Sequence, residues 1–143
     1  MSFSGVVDKW VKQTEERLDA VYARSIGLLA EEMIKTRPNG GRLPFQTGNL
    51  ARSLLASKEG MPNMADGPFA GNNVGLVTAD ITAKEDLWLG FQANYARRMN
   101  YGLIGPDSLG RVYNQEGNYF VEGAIAEWPN IVKQAAEEIK NGG

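Results

Sequence analysis

From Ser4 to about Lys35, apolar residues return every three or four positions. Val7, Val11, Leu18, Val21, Ile26, Leu29 and Met33 form the stripe, and Val6, Trp10 and Tyr22 widen it. Asp8, Lys12, Glu15, Glu16, Asp19, Glu31 and Glu32 occupy the other side. This period predicts one long amphipathic helix. Ser4 is placed to cap its start. Acidic residues come early, and Lys35 and Arg37 come late, as the helix dipole favours. Pro38, Asn39, Gly40 and Gly41 end it. Any fold for this chain has to find a surface for that stripe.

The rest of the chain is read in shorter pieces. After a connector at 42–46, Thr47 can cap a short helix that runs to about Leu55, with Leu50, Leu54 and Leu55 at helical spacing. Residues 53–57 can also feed a strand. Residues 58–73 are rich in Gly, Pro, Asn and Met, a composition expected of a long, partner-facing loop. Residues 73–82 and 87–91 read as two antiparallel strands joined by a polar turn at 83–86. Residues 94–102 read as one helical turn stopped by Gly102, and 103–118 as a second irregular loop with a turn at Gly105-Pro106-Asp107. From Phe120 to Lys140 the pattern is helical again, with Val121, Ile125, Trp128, Val132, Ala135 and Ile139 in a near-heptad repeat. Pro129 should kink that helix or restart it there, and the apolar phase kept across it favours a kink. The expected fold class is α+β: long N- and C-terminal helices on a small antiparallel sheet, with a short helix and two long loops. Trp10, Trp88 and Trp128 are expected to anchor the core.

At 143 residues the chain is expected to form a single domain, 1–143. It has no cysteine and no histidine. Disulfides, thiolate metal sites and histidine-based general acid-base catalysis are therefore excluded within the chain. The net charge of -2 does not support a grip on nucleic acid through phosphates. No stretch is long and apolar enough to span a bilayer. Residues 1–9 lack the pattern of a signal peptide, so synthesis in the cytoplasm is expected. The paired carboxylates Glu31-Glu32 and Glu137-Glu138 read as solubilising charge, and Asp66 and Asp107 lack calcium-loop spacing. No catalytic, cofactor-binding or metal-binding residue is expected.

Tyr95, Arg97, Arg98 and Tyr101 form an aromatic-basic cluster, which reads equally as a partner contact or as packed tyrosines beside solvated arginines. Met61, Met64, Phe69, Leu103, Ile104 and Tyr113 are large apolar groups within the two expected loops. With Arg97, Arg98 and Tyr101 they are the candidate interface residues.

Three motifs occur in order. They are Thr47-Gly48-x-Leu50-x-x-Ser53, then Tyr95-Ala96 leading to Gly102, then Phe120-Val121-x-x-Ala124. In this order and spacing the chain resembles the head-tail joining, or tail-completion, proteins of the neck of long-tailed phages and prophages. The resemblance implies a structural virion protein without enzymatic activity. It implies a homo-oligomeric ring, expected to be a hexamer, between the capsid portal and the tail. Its partners would be portal/adaptor or head-closure proteins on one side and tail terminator or tail tube proteins on the other. DNA would pass through the lumen without specific binding, and no membrane would be involved. Alternatives are a tail terminator or head-closure (stopper) protein of the same neck and, from another class, a small carboxylate-dependent hydrolase or lysis factor.

Overall fold

The computed structural model describes residues 2–45, 48–106 and 108–142, with the side chain of Tyr113 outside the described set. The fold is α+β, with long N- and C-terminal helical segments and two small antiparallel sheets. Helix α1 (Phe3–Ile34) is 32 residues long, which is roughly 48 Å at 1.5 Å per residue. The short helix α2 (Asn49–Arg52), strand β1 (Leu54–Ser57) and short helix α3 (Val74–Thr78) follow. Strand β2 (Trp88–Phe91), helix α4 (Ala96–Tyr101) and strands β3 (Gly102–Pro106) and β4 (Val112–Glu116) come next. Helices α5 (Phe120–Ala126) and α6 (Trp128–Gly142) end the described chain.

Ser2, not Ser4, caps α1: its Oγ accepts from the Gly5 amide at 3.1 Å. At the other end the chain doubles back through a single 3-10 turn at Arg37–Asn39. The Leu43 amide donates to the Lys35 carbonyl at 3.1 Å, and the Arg37 amide to the Leu43 carbonyl at 3.0 Å. Gly41 makes this reversal possible, because a Cβ there would lie 1.9 Å from the Lys35 carbonyl oxygen. The reversal drives Leu43, fully buried, into the core.

Two apolar clusters form that core. Ile26, Ala30 and Met33 of α1 meet Leu54 and Ala56 of β1, Val74 of α3, Ile81, and Ala124 of α5. Leu43, Leu50, Ala93, Ala96 and Phe120 form the second cluster. Ile34, Phe91 and Val121 pack against both, which makes the two continuous. Phe91 and Phe120 meet edge to face with ring centres 5.1 Å apart, a favoured aromatic geometry.

Several expectations are corrected. The short helix ends at Arg52, and Leu54 and Leu55 belong to β1. The Ser53 hydroxyl donates to the Leu50 carbonyl at 2.8 Å and closes the turn. Residues 73–82 are not a strand: α3 occupies 74–78. The reason lies in Asn73. Its Oδ1 accepts from the Ala56 amide at 2.7 Å, and its Nδ2 donates to the Ala56 carbonyl at 2.9 Å. One side-chain amide thus satisfies an edge of β1 that a strand would otherwise occupy. The partner of β1 is β2, in register from Leu54↔Phe91 to Ser57↔Trp88.

Residues 103–118 are not an irregular loop either. Strands β3 and β4 form a hairpin in register from Gly102↔Glu116 to Pro106↔Val112. Gly105 and Pro106 lie within β3, and Asp107 lies outside the described residues. The C-terminal segment is two helices rather than one kinked helix. It breaks at Glu127, and Pro129 sits in the first turn of α6, where its missing amide hydrogen costs little. The buried residues are Phe120, Ala124, Ile131 and Ala135; of the heptad stripe Ala135 is buried and Val121 packs on the core while Ile125 is exposed, so the stripe is only part of the packed face. Trp88 and Trp128 are half-buried, and Trp10 is 65% exposed. Trp10 is not a core anchor.

Candidate functional site

The three sequence motifs converge, but on the interior. Leu50, Ala96 and Phe120 touch within the second core cluster, with Tyr95 packed against it, and Ala124 belongs to the first. Ser53 is fully buried. Gly48 is the N-cap of α2 in the left-handed conformation, without a side-chain cap. Thr47, expected to be that cap, lies outside the described residues. Gly102 ends α4 at φ 83°, where a Cβ would meet the Gln115 carbonyl oxygen at 2.4 Å. The motif residues therefore position elements and present little chemistry to solvent.

The aromatic-basic cluster divides. Tyr95 turns inward, and its hydroxyl accepts from Asn49 Nδ2 at 3.1 Å. Arg98 is half-buried and, with Asn94 and Tyr95, lines a shallow cavity of about 390 Å³. Arg97 and Tyr101 face solvent, with the guanidinium 6.0 Å from the ring centre, a distance at the limit of a cation–π contact. Tyr101 also leans on Glu122. Hydrogen bonding to that carboxylate raises the phenol above its ordinary range. For Glu122, burial is the largest single influence and pushes upward. Hydrogen bonds from Asn100 and Tyr101 together outweigh it and hold the carboxyl below its ordinary range. Asn100 is buried, and it donates to Glu122 Oε2 at 2.8 Å and accepts from the Val121 amide at 3.1 Å. This network fastens the end of α4 to the start of α5.

The 58–73 segment carries no helix or strand, as expected, but it is pinned. The Phe69 amide donates to Asn49 Oδ1 at 3.1 Å, and Arg52 Nε donates to the Phe69 carbonyl at 2.9 Å. The Ala65 amide reaches the Gln92 carbonyl at 2.9 Å. Phe69 packs on the core and is removed from the interface set, whereas Met61 and Met64 are exposed. In the hairpin, Leu103 is half-buried and Ile104 is 82% exposed. The side chain of Tyr113 is outside the described set.

The largest apolar exposure lies elsewhere and was not anticipated. Every residue from Ser2 to Leu18 is exposed. Phe3, Val6, Val7, Trp10, Val11 and Leu18 are uncovered there. Leu76, Leu109 and Val112 are also uncovered. One signal was available. The segment facing α1 at the C-terminus is much shorter than α1, so one end of α1 had to remain without a partner.

Two basic side chains of the body hold ion pairs. Arg24 Nε meets Glu138 Oε2 at 2.6 Å, and Lys58 meets Asp80 and Glu85, each at 3.2 Å. A cavity of about 620 Å³ forms a groove between α1 and α3, lined in part by the small side chains of Ala20, Ala23, Gly27 and Gly75. Among the described residues no three metal-ligating side chains converge. Among the described residues no helix is long and apolar enough to cross a membrane. Comparison with family models, with curated proteins and with solved structures returns no match.

Proposed function

We propose that this protein is a structural subunit of a phage neck: one protomer of a homo-oligomeric ring that joins the portal side of the head to the tail. The observation that carries the reading is the placement of its uncovered apolar side chains. They lie on three separate parts of the surface: the outer half of α1, the Met61–Met64 stretch, and the β3–β4 hairpin. Large apolar groups on protruding elements favour cover by other protein surface. A ring subunit meets neighbours on both sides and further layers above and below, so it needs several such surfaces. The motif order described above agrees with the same reading. An acidic to neutral subunit also suits a channel through which DNA slides without adhering.

The test is an in vitro joining assay. Heads and tails come from a phage strain unable to make the protein, and purified protein is added. Infectious particles should appear in proportion to added protein, and electron microscopy should show a ring at the junction. Joining that proceeds equally well without the protein would refute the reading. So would glycan or peptide hydrolysis by the purified protein that is lost on replacing one Asp or Glu.

A further inference from the structure

We propose that the outer half of α1 is a self-association helix, which packs in parallel against the same helix of a second copy. The inference deepens the ring reading and rests on it for cyclic closure only. The stripe itself consists of Phe3, Val7, Trp10, Val11 and Leu18, with Val6 at its edge, all exposed. At about 100° per residue these fall on one side of the helix.

The flanking charges choose the occupant and its direction. On one side of the stripe stand Asp8 and Glu15, and on the other stands Arg17. Lys9, Lys12 and Glu16 fall behind it. The same two sides continue toward the body as Asp19 and Arg24, but those are engaged: Asp19 accepts from the Ala83 amide at 2.8 Å, and Arg24 holds Glu138. Asp8, Glu15 and Arg17 have no ion-pair partner among the described residues. Two such helices packed antiparallel would set acidic side against acidic side and basic against basic. Packed in parallel, the acidic side of one meets the basic side of the next. A parallel pair also repeats by rotation about an axis along the helices, so a third and further copy can join by the same contact until the set closes. A second copy of this helix is therefore its own complement.

The chain has no cysteine, so Val7→Cys and Leu18→Cys each place one thiol on the stripe. The two positions are eleven residues apart, roughly 16 Å along a helix, well beyond the Cα separation of about 7 Å that a disulfide tolerates. Under mild oxidation of the assembled full-length protein, each variant should cross-link to itself. An equimolar mixture, refolded together, should give no 7–18 species. Lys12→Cys, on the back of the helix, should cross-link far more slowly. The double variant Asp8→Lys, Glu15→Lys should raise the concentration for half-association at least about tenfold. Adding Arg17→Glu should recover most of that loss. A 7–18 species, or charge variants that leave association unchanged, would overturn the proposal. A closed ring that shows neither 7–7 nor 18–18 links would overturn it and leave the ring reading standing. Parallel links confined to an open dimer would support it and count against the ring. Wild-type protein that stays monomeric at every concentration reached would overturn both.

Discussion

The two halves of α1 carry similar sequence and meet opposite fates. From Tyr22 to Ile34, Ile26, Ala30 and Met33 lie in the core, with Tyr22, Leu29 and Ile34 packed beside them. From Phe3 to Leu18, a comparable apolar stripe is exposed, and only at Leu18 does it border the 82–84 turn. The backbone is continuous and the helix is regular throughout. What differs is what lies opposite. The inner half faces α3, α5, α6 and β1, whereas the outer half extends past the end of all of them. An amphipathic pattern thus specifies a helix and a face, but not whether the chain itself supplies the cover.

That contrast can be broken by substitution. The largest effect is expected in the body that encloses the inner half. Phe120→Ala removes a fully buried ring from the second cluster and its contact with Phe91. It should cost about 3–5 kcal/mol in denaturant titration. A loss below about 1 kcal/mol would mean that the cluster does not hold the fold. On α1 itself, Ile26→Ala should cost about 2–4 kcal/mol, while Val11→Ala in the dissociated subunit should stay within about 0.5 kcal/mol, as for an ordinary surface site. Equal costs at the two positions would erase the distinction between the halves. In the assembled state Val11→Ala should instead weaken association, and a cost seen in both states would place Val11 against its own subunit.

Gly102→Ala probes a different boundary, the joint between the body and the hairpin. Its positive φ and the nearby Gln115 carbonyl should make the change cost about 1–3 kcal/mol. Hydrogen exchange should rise in β3 and β4 and leave both halves of α1 unchanged.

The smallest effect concerns pH. The Arg24 guanidinium beside Glu138 holds that carboxyl below its ordinary range, and Thr82 and Lys58 do the same for Glu85. A depressed folded-state value stabilises the native state above the ordinary glutamate range, near pH 4.3. That contribution is lost as pH falls through the depressed value. Acidification below about pH 4 should therefore raise exchange slightly where α1 meets α6. Both groups are largely solvated, so the effect is small and salt-sensitive. Residues 3–18, already open, should not respond, and a response there equal to that of the inner half would mean that the two halves unfold as one unit.

Much of this fold was legible in residue order. The period of α1, its stop at Pro38–Gly41, the strand at 87–91 and the helical turn ended by Gly102 all follow from local pattern and turn chemistry. The errors share one cause. Residues 73–82 alternate well enough for a strand, but Asn73 closes the edge of β1 with its side chain, and no local signal announces a contact between positions 56 and 73. In the hairpin at 102–116 the apolar Leu103 and Ile104 are adjacent in sequence, although Leu103 is half-buried and Ile104 exposed, and Gly105 and Pro106 resemble a loop. In the C-terminal segment the apolar repeat through Val121 and Ile125 was the more regular one, yet Phe120 and Ala124 are buried.

The candidate surface was only partly legible. Met61, Met64, Tyr101 and Ile104 were identified from loop composition and are exposed. Phe69 was grouped with them and packs inward, because its backbone is held by Asn49 and Arg52 from the preceding helix. Trp10 was assigned to the core on the strength of its stripe and stands in solvent.

The sequence by itself determined the long N-terminal helix, the helical character of the C-terminal segment, the absence of histidine and cysteine chemistry, and the order of the motif residues, because these depend on periodicity and composition over a few turns of chain. Only the tertiary structure decided which half of α1 is core and which is surface. That outcome depends on the relative lengths and placements of elements far apart in sequence, and on whether a facing surface exists at all.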